Sequence, residues 1–454
     1  LLLSSITVGS VSTSVDNSLG VEVDNDSTIN SFAVGNITPV SIASGKTLSG
    51  GIGVTAGSIK LTDTGTLASN VAMSGGTTLD ADNTLTVSGA LTQSGNITID
   101  VLDDKILSYS GVSLSLGANT LTISGGGTFA NTNPLLLDNA ASNLVLDNVN
   151  VGFVSASAAS SGAKGLNVSA DSTLRNLSLA EKLRLSVDTG KTLTLAEPLT
   201  VPTQGMELSG AGTLDLTDNL TMNGDVTLAS GSLTVDAKGL LLNLGGNLNL
   251  SGGTLLTDND TYIHLLSNSI LTTDAEQLIA NVSIEGNTQP MLSMGSNTTI
   301  LDVVERIPVD IACPKSLPIK PKGQVRLSGG VQINTGGEFC IDGWLEGDIV
   351  LNGGTLRIDA DTTINSSSAL SIDATSNLKF VNGASLTYEG SSLSLDNNTL
   401  LISSIEDPSI SVSDGSGEGS LLFKNDGSNP LSLNNPDGVL EFSGDRTSTV
   451  SHVK

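Results

Sequence analysis

The sequence predicts an all-β protein built as a parallel β-helix with roughly triangular coils of about 21–24 residues. Three observations predict this fold. A short Ser-Gly phrase returns at a fixed interval, aromatic residues make up only 2% of the 454 residues, and 51 glycines punctuate runs in which Leu, Val and Ile alternate with small polar residues. Medium aliphatic side chains suit a narrow stacked core, and Gly supplies the positive φ angles that tight turns require.

The repeat sets the size of the coil. The phrase occurs at Ser209-Gly210, Ser230-Gly231 and Ser251-Gly252, and the interval between successive occurrences is constant. Gly245-Gly246 and Gly252-Gly253 are separated by one third of that interval, which divides each coil into three sides. Coils that return to the same position one layer up pair in parallel, and the general preference of parallel crossovers favours a right-handed helix.

The regularity of this pattern varies along the chain and divides it into four predicted segments. Residues 1–45 alternate irregularly and form the first strands or an end element, whereas residues 46–304 form the main β-solenoid. Residues 305–325 are a Pro-rich linker or an excursion, and residues 326–454 form a second solenoid segment. A short helix or an irregular loop is expected after Thr273, where the spacing of a capping box precedes Leu278.

A long internal sequence repeat indicates that coils were duplicated. The stretch from Tyr109 to Ser124 matches the stretch from Tyr388 to Ser403 at 11 of 16 positions without a gap. An ungapped match of this length indicates that a set of coils was copied along the chain.

The Pro-rich segment interrupts the strands. Proline cannot donate a hydrogen bond to a strand ladder, so central strands are expected to stop between Pro308 and Pro321. The two cysteines of the chain, Cys313 and Cys340, bracket this break. An even count in a chain with secreted character favours one disulfide between them, with buried thiols as the alternative.

The charge of the chain excludes some partners. A formal net charge of -27 with only 19 basic residues argues against nucleic acid and anionic membrane surfaces as partners. No apolar run approaches the roughly 20 residues of a membrane-spanning helix, so membrane insertion is not expected. The acidity indicates either a solvated surface or bridging by divalent cations.

Catalytic signatures are scarce, and we expect no enzyme activity. Any histidine mechanism must use His264 or His452, and His264 lies in an alternating strand where an outward polar position explains it. Paired carboxylates such as Asp80 and Asp82 are the minimum for glycoside hydrolysis, but their settings favour turn roles. No Arg or Lys neighbours an Asp pair within a recurrent coil, so a polysaccharide-degrading enzyme is a distant third hypothesis.

Calcium is the one cofactor that the sequence leaves open. Asp-x-Asp turns offer several oxygen ligands, and the two best candidates comprise four residues, Asp24, Asp26, Asp258 and Asp260. The alternative is that these carboxylates cap turns by accepting backbone hydrogen bonds. Beyond these weak calcium candidates, no cofactor is expected.

The motif Ser-Gly-Gly-Thr-Leu, from Ser251, and the motif Asn-Thr-Leu-Thr-Ile-Ser-Gly, from Asn119, resemble those of extracellular β-solenoid repeat proteins. Such proteins include filamentous adhesins, autotransporter passengers and surface-layer or filament subunits of prokaryotes. The resemblance covers almost the whole chain and implies an extracellular or cell-surface location. It specifies architecture and does not single out one family.

The ends of a solenoid expose unpaired strand edges, which invite another chain to add. The apolar residues expected to mediate assembly lie in two strands, comprising Leu1, Leu2, Leu3, Ile6, Val8, Val439, Leu440 and Phe442. The leading hypothesis is a structural extracellular protein that joins end to end with copies of itself into a filament or layer. The alternative is an adhesin that binds a receptor or a cell-surface glycan through loops, with the region from Pro308 to Trp344 as the expected contact.

Overall fold

The computed structural model confirms the predicted fold class. It describes residues 1–13, 20–250, 252–258, 260–266, 269–273, 278–284, 291–294, 300–303, 307–309, 324–341, 344–358, 361–365, 367–380, 386–388, 392–394, 399–404, 421–423 and 439–442. These residues form an all-β parallel β-solenoid of about 14 turns. They contain no helix, and hence none long and apolar enough to cross a membrane. The expected right hand stays a prediction.

The chain divides into two compact units, Leu1–Asp236 and Ala237–Lys454. The four segments expected from the sequence, at 1–45, 46–304, 305–325 and 326–454, stay a prediction, because residues 310–323 lie outside the described residues. The first strands nonetheless stack in the same ladders as those that follow them.

The first unit consists of thirty strands in its described residues. In chain order they are β1 (Leu2–Leu3), β2 (Thr7–Thr13), β3 (Val21–Val23), β4 (Ser27–Val34), β5 (Thr38–Ile42), β6 (Thr47–Val54), β7 (Ser58–Leu61), β8 (Thr66–Leu67), β9 (Asn70–Met73), β10 (Thr78–Ala81), β11 (Leu85–Val87), β12 (Leu91–Gln93), β13 (Ile97–Val101), β14 (Ile106–Tyr109), β15 (Leu114–Ser115), β16 (Thr120–Ser124), β17 (Thr128–Asn131), β18 (Leu135–Leu137), β19 (Asn143–Asp147), β20 (Asn150–Ala156), β21 (Gly165–Val168), β22 (Ser172–Leu179), β23 (Leu183–Val187), β24 (Thr192–Leu195), β25 (Leu199–Val201), β26 (Met206–Gly210), β27 (Thr213–Leu216), β28 (Leu220–Met222), β29 (Val226–Gly231) and β30 (Thr234–Asp236).

These strands form the three sides that the sequence predicts. The first face is one parallel ladder that contains β7, β10, β13 and β16. The second face contains β8, β11, β14 and β17, and the third contains β9, β25 and β28. In some coils, as in β20 and β22, one longer strand runs through both the second and the third face.

The repeat interval predicted from the Ser-Gly phrase is also the offset between residues that pair in successive coils. Ser209 pairs with Ser230 and Gly210 with Gly231 between β26 and β29. Other coils are shorter or longer than this one. A short coil pairs Val21 with Val40, whereas a long coil pairs Ile97 with Leu121. The coil therefore tolerates small changes in corner length while its three sides stay in register.

Alternation along each strand builds the core. Ile59, Leu79 and Ile99 occupy adjacent coils of one ladder, and each side chain is 0% exposed. Tyr109 and Phe129 add a stacked aromatic pair, with ring centroids 5.9 Å apart. Inward positions thus bury stacks of like side chains, whereas the residues between them point outward.

A buried amide secures one place where two faces join. Asn131 is 5% exposed, and its Oδ1 accepts hydrogen bonds from the backbone N–H groups of Gly152 and Phe153, both at 3.1 Å. Its Nδ2 donates to the carbonyl oxygens of Asn133 and Phe153 at 2.9 and 2.6 Å. All four hydrogen bonds of the amide are made, so its burial carries no penalty for an unsatisfied group.

The glycine of the repeated phrase has a steric role. Gly210 has a φ of 100°, and a Cβ atom there would lie 2.0 Å from the carbonyl oxygen of Val187 in the coil before. Gly231 has a φ of 94°, and its Cβ would lie 1.9 Å from the carbonyl oxygen of Gly210. Both the left-handed backbone and the close approach of successive coils require glycine.

The second unit is built in the same way in its described residues. Its strands are β31 (Leu241–Leu244), β32 (Leu248–Leu250), β33 (Thr254–Leu256), β34 (Tyr262–Leu265), β35 (Ile270–Thr273), β36 (Leu278–Ile284), β37 (Met291–Met294), β38 (Ile300–Val303), β39 (Ile307–Val309), β40 (Gln324–Asn334), β41 (Glu338–Ile341), β42 (Trp344–Asn352), β43 (Thr355–Ile358), β44 (Thr362–Ile364), β45 (Ala369–Ala374), β46 (Ser376–Phe380), β47 (Leu386–Tyr388), β48 (Ser392–Ser394), β49 (Thr399–Ser404), β50 (Leu421–Phe423) and β51 (Val439–Phe442). One sheet of this unit has the order β41-β43-β46-β49-β51, with parallel neighbours.

Two local expectations are corrected here. The short helix considered after Thr273 is not formed at Leu278–Ile284, because these residues are strand β36. Pro308 does not stop its strand, because it lies within β39 and pairs with Gln332 of β40.

The internal sequence repeat from Tyr109 and from Tyr388 corresponds to a repeated arrangement of strands. Tyr109 ends β14 and Tyr388 ends β47, and each is followed by two further strands at matching positions.

We predict that Gly210→Ala lowers the free energy of unfolding by at least about 2 kcal/mol, because the side chain would strain a left-handed φ and displace the carbonyl of Val187. Gly53→Ala is the matched control, since a Cβ there meets nothing within 4 Å. Urea unfolding followed by circular dichroism measures both variants. Equal midpoints for the two variants would contradict this steric role.

Candidate functional site

The first coil of the first unit presents an open, apolar edge. Leu1, Leu2 and Ile6 are 53%, 61% and 48% exposed, whereas Leu3 points inward and is 1% exposed. Val8, which belongs to the same coil, is only half-buried. Val8 pairs with Ile29, which is buried, whereas Leu2 pairs with Glu22, which is exposed like Leu2 itself.

The backbone groups of β1 alternate between the side of the next coil and the side opposite to it. The carbonyl oxygens of Leu1 and Leu3 accept hydrogen bonds from Glu22 and Asp24 of the next coil at 2.7 and 3.1 Å. Because backbone groups alternate in direction along a strand, those of Leu2 point to the opposite, open side. Among the described residues no strand pairs with β1 on that side.

The other predicted assembly strand is also at an edge. Val439, Leu440 and Phe442 lie in β51, which pairs with β49 and ends its five-stranded sheet within the described residues. Their backbone thus has the expected strand conformation. Their side chains lie outside the described part of the chain, so their apolar contact surface stays a prediction.

Asp24 and Asp26, the first calcium candidates, are exposed beside the corner between β3 and β4. The Oδ1 atom of Asp26 accepts a hydrogen bond from the backbone N–H of Thr47 in the next coil at 2.8 Å. This carboxylate therefore caps the start of β6, which is the alternative that the sequence offered.

Asp258, from the second candidate pair, makes a similar turn. Its Oδ1 atom accepts hydrogen bonds from Gly239 N at 2.9 Å, Asp260 N at 3.0 Å and Thr261 Oγ1 at 2.9 Å. The hydrogen bond from Gly239, followed by that from Thr261, holds the pKa of Asp258 below its ordinary value. Within the described residues, no three His, Cys, Asp or Glu side chains form a metal-binding group. Calcium binding stays a prediction.

The cysteines and histidines are only partly within the described residues. Cys313 lies outside them, and Cys340 lies in β41 with its side chain undescribed, so the disulfide stays a prediction. His264 lies between the buried Ile263 and Leu265 and points outward, as expected for an alternating strand. His452 lies outside the described residues.

Within the described residues, the ionisable cluster with the largest pKa shift lies on the outer side of the first face. Lys60 and Asp80 pair across β7 and β10, and Lys60 Nζ lies 2.7 Å from Asp82 Oδ2 and 3.6 Å from Asp80 Oδ2. The expectation from the sequence concerned only neighbours within one coil, and this lysine reaches Asp80 and Asp82 from the coil before. Lys60 precedes Asp80 by one coil, and that spacing is the signal that could have revealed the cluster.

Burial is the largest cause that raises the pKa of Asp80 to about 6. A hydrogen bond and the negative charge from Asp82 raise it further, and Lys60 lowers it. The hydrogen bond to Asp82 raises the pKa of Lys60. Asp80 can consequently exchange a proton in mildly acidic solution, on an outward strand.

No family model matches the chain, and neither a curated protein nor a solved structure gives a significant match.

We predict that Asp80→Asn raises the thermal midpoint at pH 8 and changes it little at pH 4. The folded-state pKa of Asp80 lies above its ordinary value, so the carboxyl supports folding below about pH 4 and loses this contribution as the pH rises through about 6. After allowance for solvent screening, the gain at pH 8 is on the order of 1 kcal/mol.

The control for this prediction is Asp104→Asn, which removes the same charge from an exposed turn with a φ of 58°. Asparagine tolerates that left-handed conformation, so we expect little change at either pH. Differential scanning calorimetry at both pH values measures the two variants. A gain for Asp80→Asn that is the same at pH 4 and pH 8 would refute the effect of ionisation.

Proposed function

We propose that this protein is a structural subunit that joins end to end with copies of itself into a filament or layer outside the cell. The observation that carries the proposal is the open parallel edge of the first coil, where Leu1, Leu2 and Ile6 are exposed. The incoming partner is a strand of a second copy, paired in parallel along β1 and β2.

Adding a coil at this edge improves two energetic terms. The open N–H and C=O groups gain backbone partners, and the exposed side chains become covered on the stacking side. Full burial of a Leu or Ile side chain contributes about 1.5–3 kcal/mol. These gains are of the same kind as those that stack each coil on the one before it.

The two ends of such a stack are different surfaces, so the contact is head to tail. A head-to-tail contact that does not close into a ring grows as an open filament. Strand β51, with Val439, Leu440 and Phe442, is the proposed surface that receives the first coil of the next copy.

Charge sets the conditions for assembly. Copies that each carry a formal charge of -27 repel one another, so assembly is expected to strengthen with ionic strength or with divalent cations that bridge carboxylates. This also gives calcium a supporting role as a counter-ion, without requiring a dedicated site.

The proposed role includes no catalytic step, no resident cofactor, no nucleic acid and no insertion into a membrane. Strong net acidity and scattered basic residues support the exclusion of nucleic acid. The adhesin hypothesis names the region from Pro308 to Trp344 as the contact, and residues 310–323 of that region lie outside the described part of the chain.

We predict that wild-type protein forms filaments by electron microscopy and that the double variant Leu2→Lys with Ile6→Lys does not. The two lysines remove apolar surface from the open edge and place charge where the next coil must pack. Both positions are exposed, so the substitutions leave the core of the first unit unchanged.

The matched control is Thr66→Lys with Thr86→Lys, which adds the same charge at paired outward positions of β8 and β11 in the middle of the first unit. This control is expected to form filaments as the wild type does. Wild-type protein that stays monomeric, or filaments that are unchanged in the Leu2 and Ile6 variant, would overturn the proposal.

A further inference from the structure

A shallow polar pocket of about 180 Å³ opens on the outer side of the second face of the first unit. Its principal polar lining comprises six residues, Asn148, Asn150, Asp171, Thr173, Thr192 and Thr194. Gly126 also lines the pocket and contributes no side chain to it.

The pocket arises from the stacking of successive coils. Asn150 pairs with Thr173 between β20 and β22, and Thr173 pairs with Thr194 between β22 and β24. A second outward row contains Asn148, Asp171 and Thr192, each of which precedes a residue of the first row by two positions. Adjacent strands stand about 4.8 Å apart, so the two rows hold polar groups at regular intervals on both sides of the pocket.

Several of these polar groups are available to a ligand. The side chains of Asn148, Asn150, Thr173 and Thr192 have no hydrogen-bond partner among the described residues. Asp171 is fixed in place because its Oδ1 atom accepts a hydrogen bond from the backbone N–H of Thr192 at 2.8 Å. Together they offer amide, hydroxyl and carboxylate groups, and hence both donors and acceptors.

We propose that this pocket binds one sugar unit of a neutral carbohydrate. A sugar ring presents closely spaced hydroxyls that donate and accept, which matches two rows of amides and hydroxyls. The lining has no cationic side chain to favour an anion, and its single carboxylate falls short of the oxygen ligands that Ca²⁺ takes. The volume suits a single ring, because sites for drug-sized ligands exceed roughly 300 Å³.

This site is separate from the open edge of the first coil, so its function does not depend on self-assembly. It lies on an outward face, where it stays accessible whether the protein is a single subunit or part of a stack. An affinity in about the millimolar range is expected for one sugar ring, and repetition of the site along an assembly would strengthen binding to a polymer.

The experiment is saturation-transfer difference NMR on the wild-type chain with the methyl glycosides of glucose, galactose, mannose and N-acetylglucosamine. We expect transfer to at least one of these sugars. The double variant Asn150→Ala with Thr173→Val should lose at least about 10-fold in affinity, since two adjacent coils lose a hydrogen-bonding group.

The control is Thr66→Val with Thr86→Val, which removes two outward hydroxyls from the second face away from the pocket. It should bind as the wild type does, and circular dichroism should show that all three proteins are folded. Absence of transfer to every sugar in the wild type, or equal binding by the wild type and the pocket variant, would overturn the proposal.

Discussion

Backbone hydrogen bonds between successive coils are the interaction on which the first unit depends. The N–H of Thr98 donates to Thr77 and that of Thr128 to Lys105, at 3.0 and 2.8 Å, and such bonds recur from coil to coil. This pairing places like positions above one another. It therefore creates both the aliphatic core ladders and the outward polar rows from one geometric rule.

Much of this architecture could be predicted from the sequence, because its determinants are local. The Ser-Gly phrase at residues 209–210 and 230–231 predicts the register that the structure has, since its glycines sit where a coil passes close to its neighbour. Alternation of apolar and polar residues likewise predicts which side chains enter the core. Neither signal requires knowledge of distant parts of the chain.

The contacts on the outer faces were harder to predict, because coil length varies. A shorter coil brings Lys60 next to Asp80, whereas a longer coil joins Ile97 to Leu121. A single fixed period cannot say which outward side chains meet. The fully bonded Asn131 illustrates the same limit, because its partners in β20 depend on how two faces merge into one strand.

The carboxylates proposed as metal ligands show how one residue type serves two purposes. Asp26 and Asp258 each place an oxygen against backbone N–H groups at coil corners. The sequence pattern of such a corner is the same as that of an oxygen-rich cation site, since both need a short carboxylate in a turn. Only the position of the neighbouring coil separates the two roles.

The direction of the hydrogen bonds between coils has a mechanical consequence. In the first unit these bonds run along the stacking direction, so tension applied along that direction loads them one coil at a time. Such a stack would yield first at its outermost coil, which has a neighbour on one side alone. A stack of these coils would therefore lengthen stepwise under such tension and would resist shear across the strands more strongly.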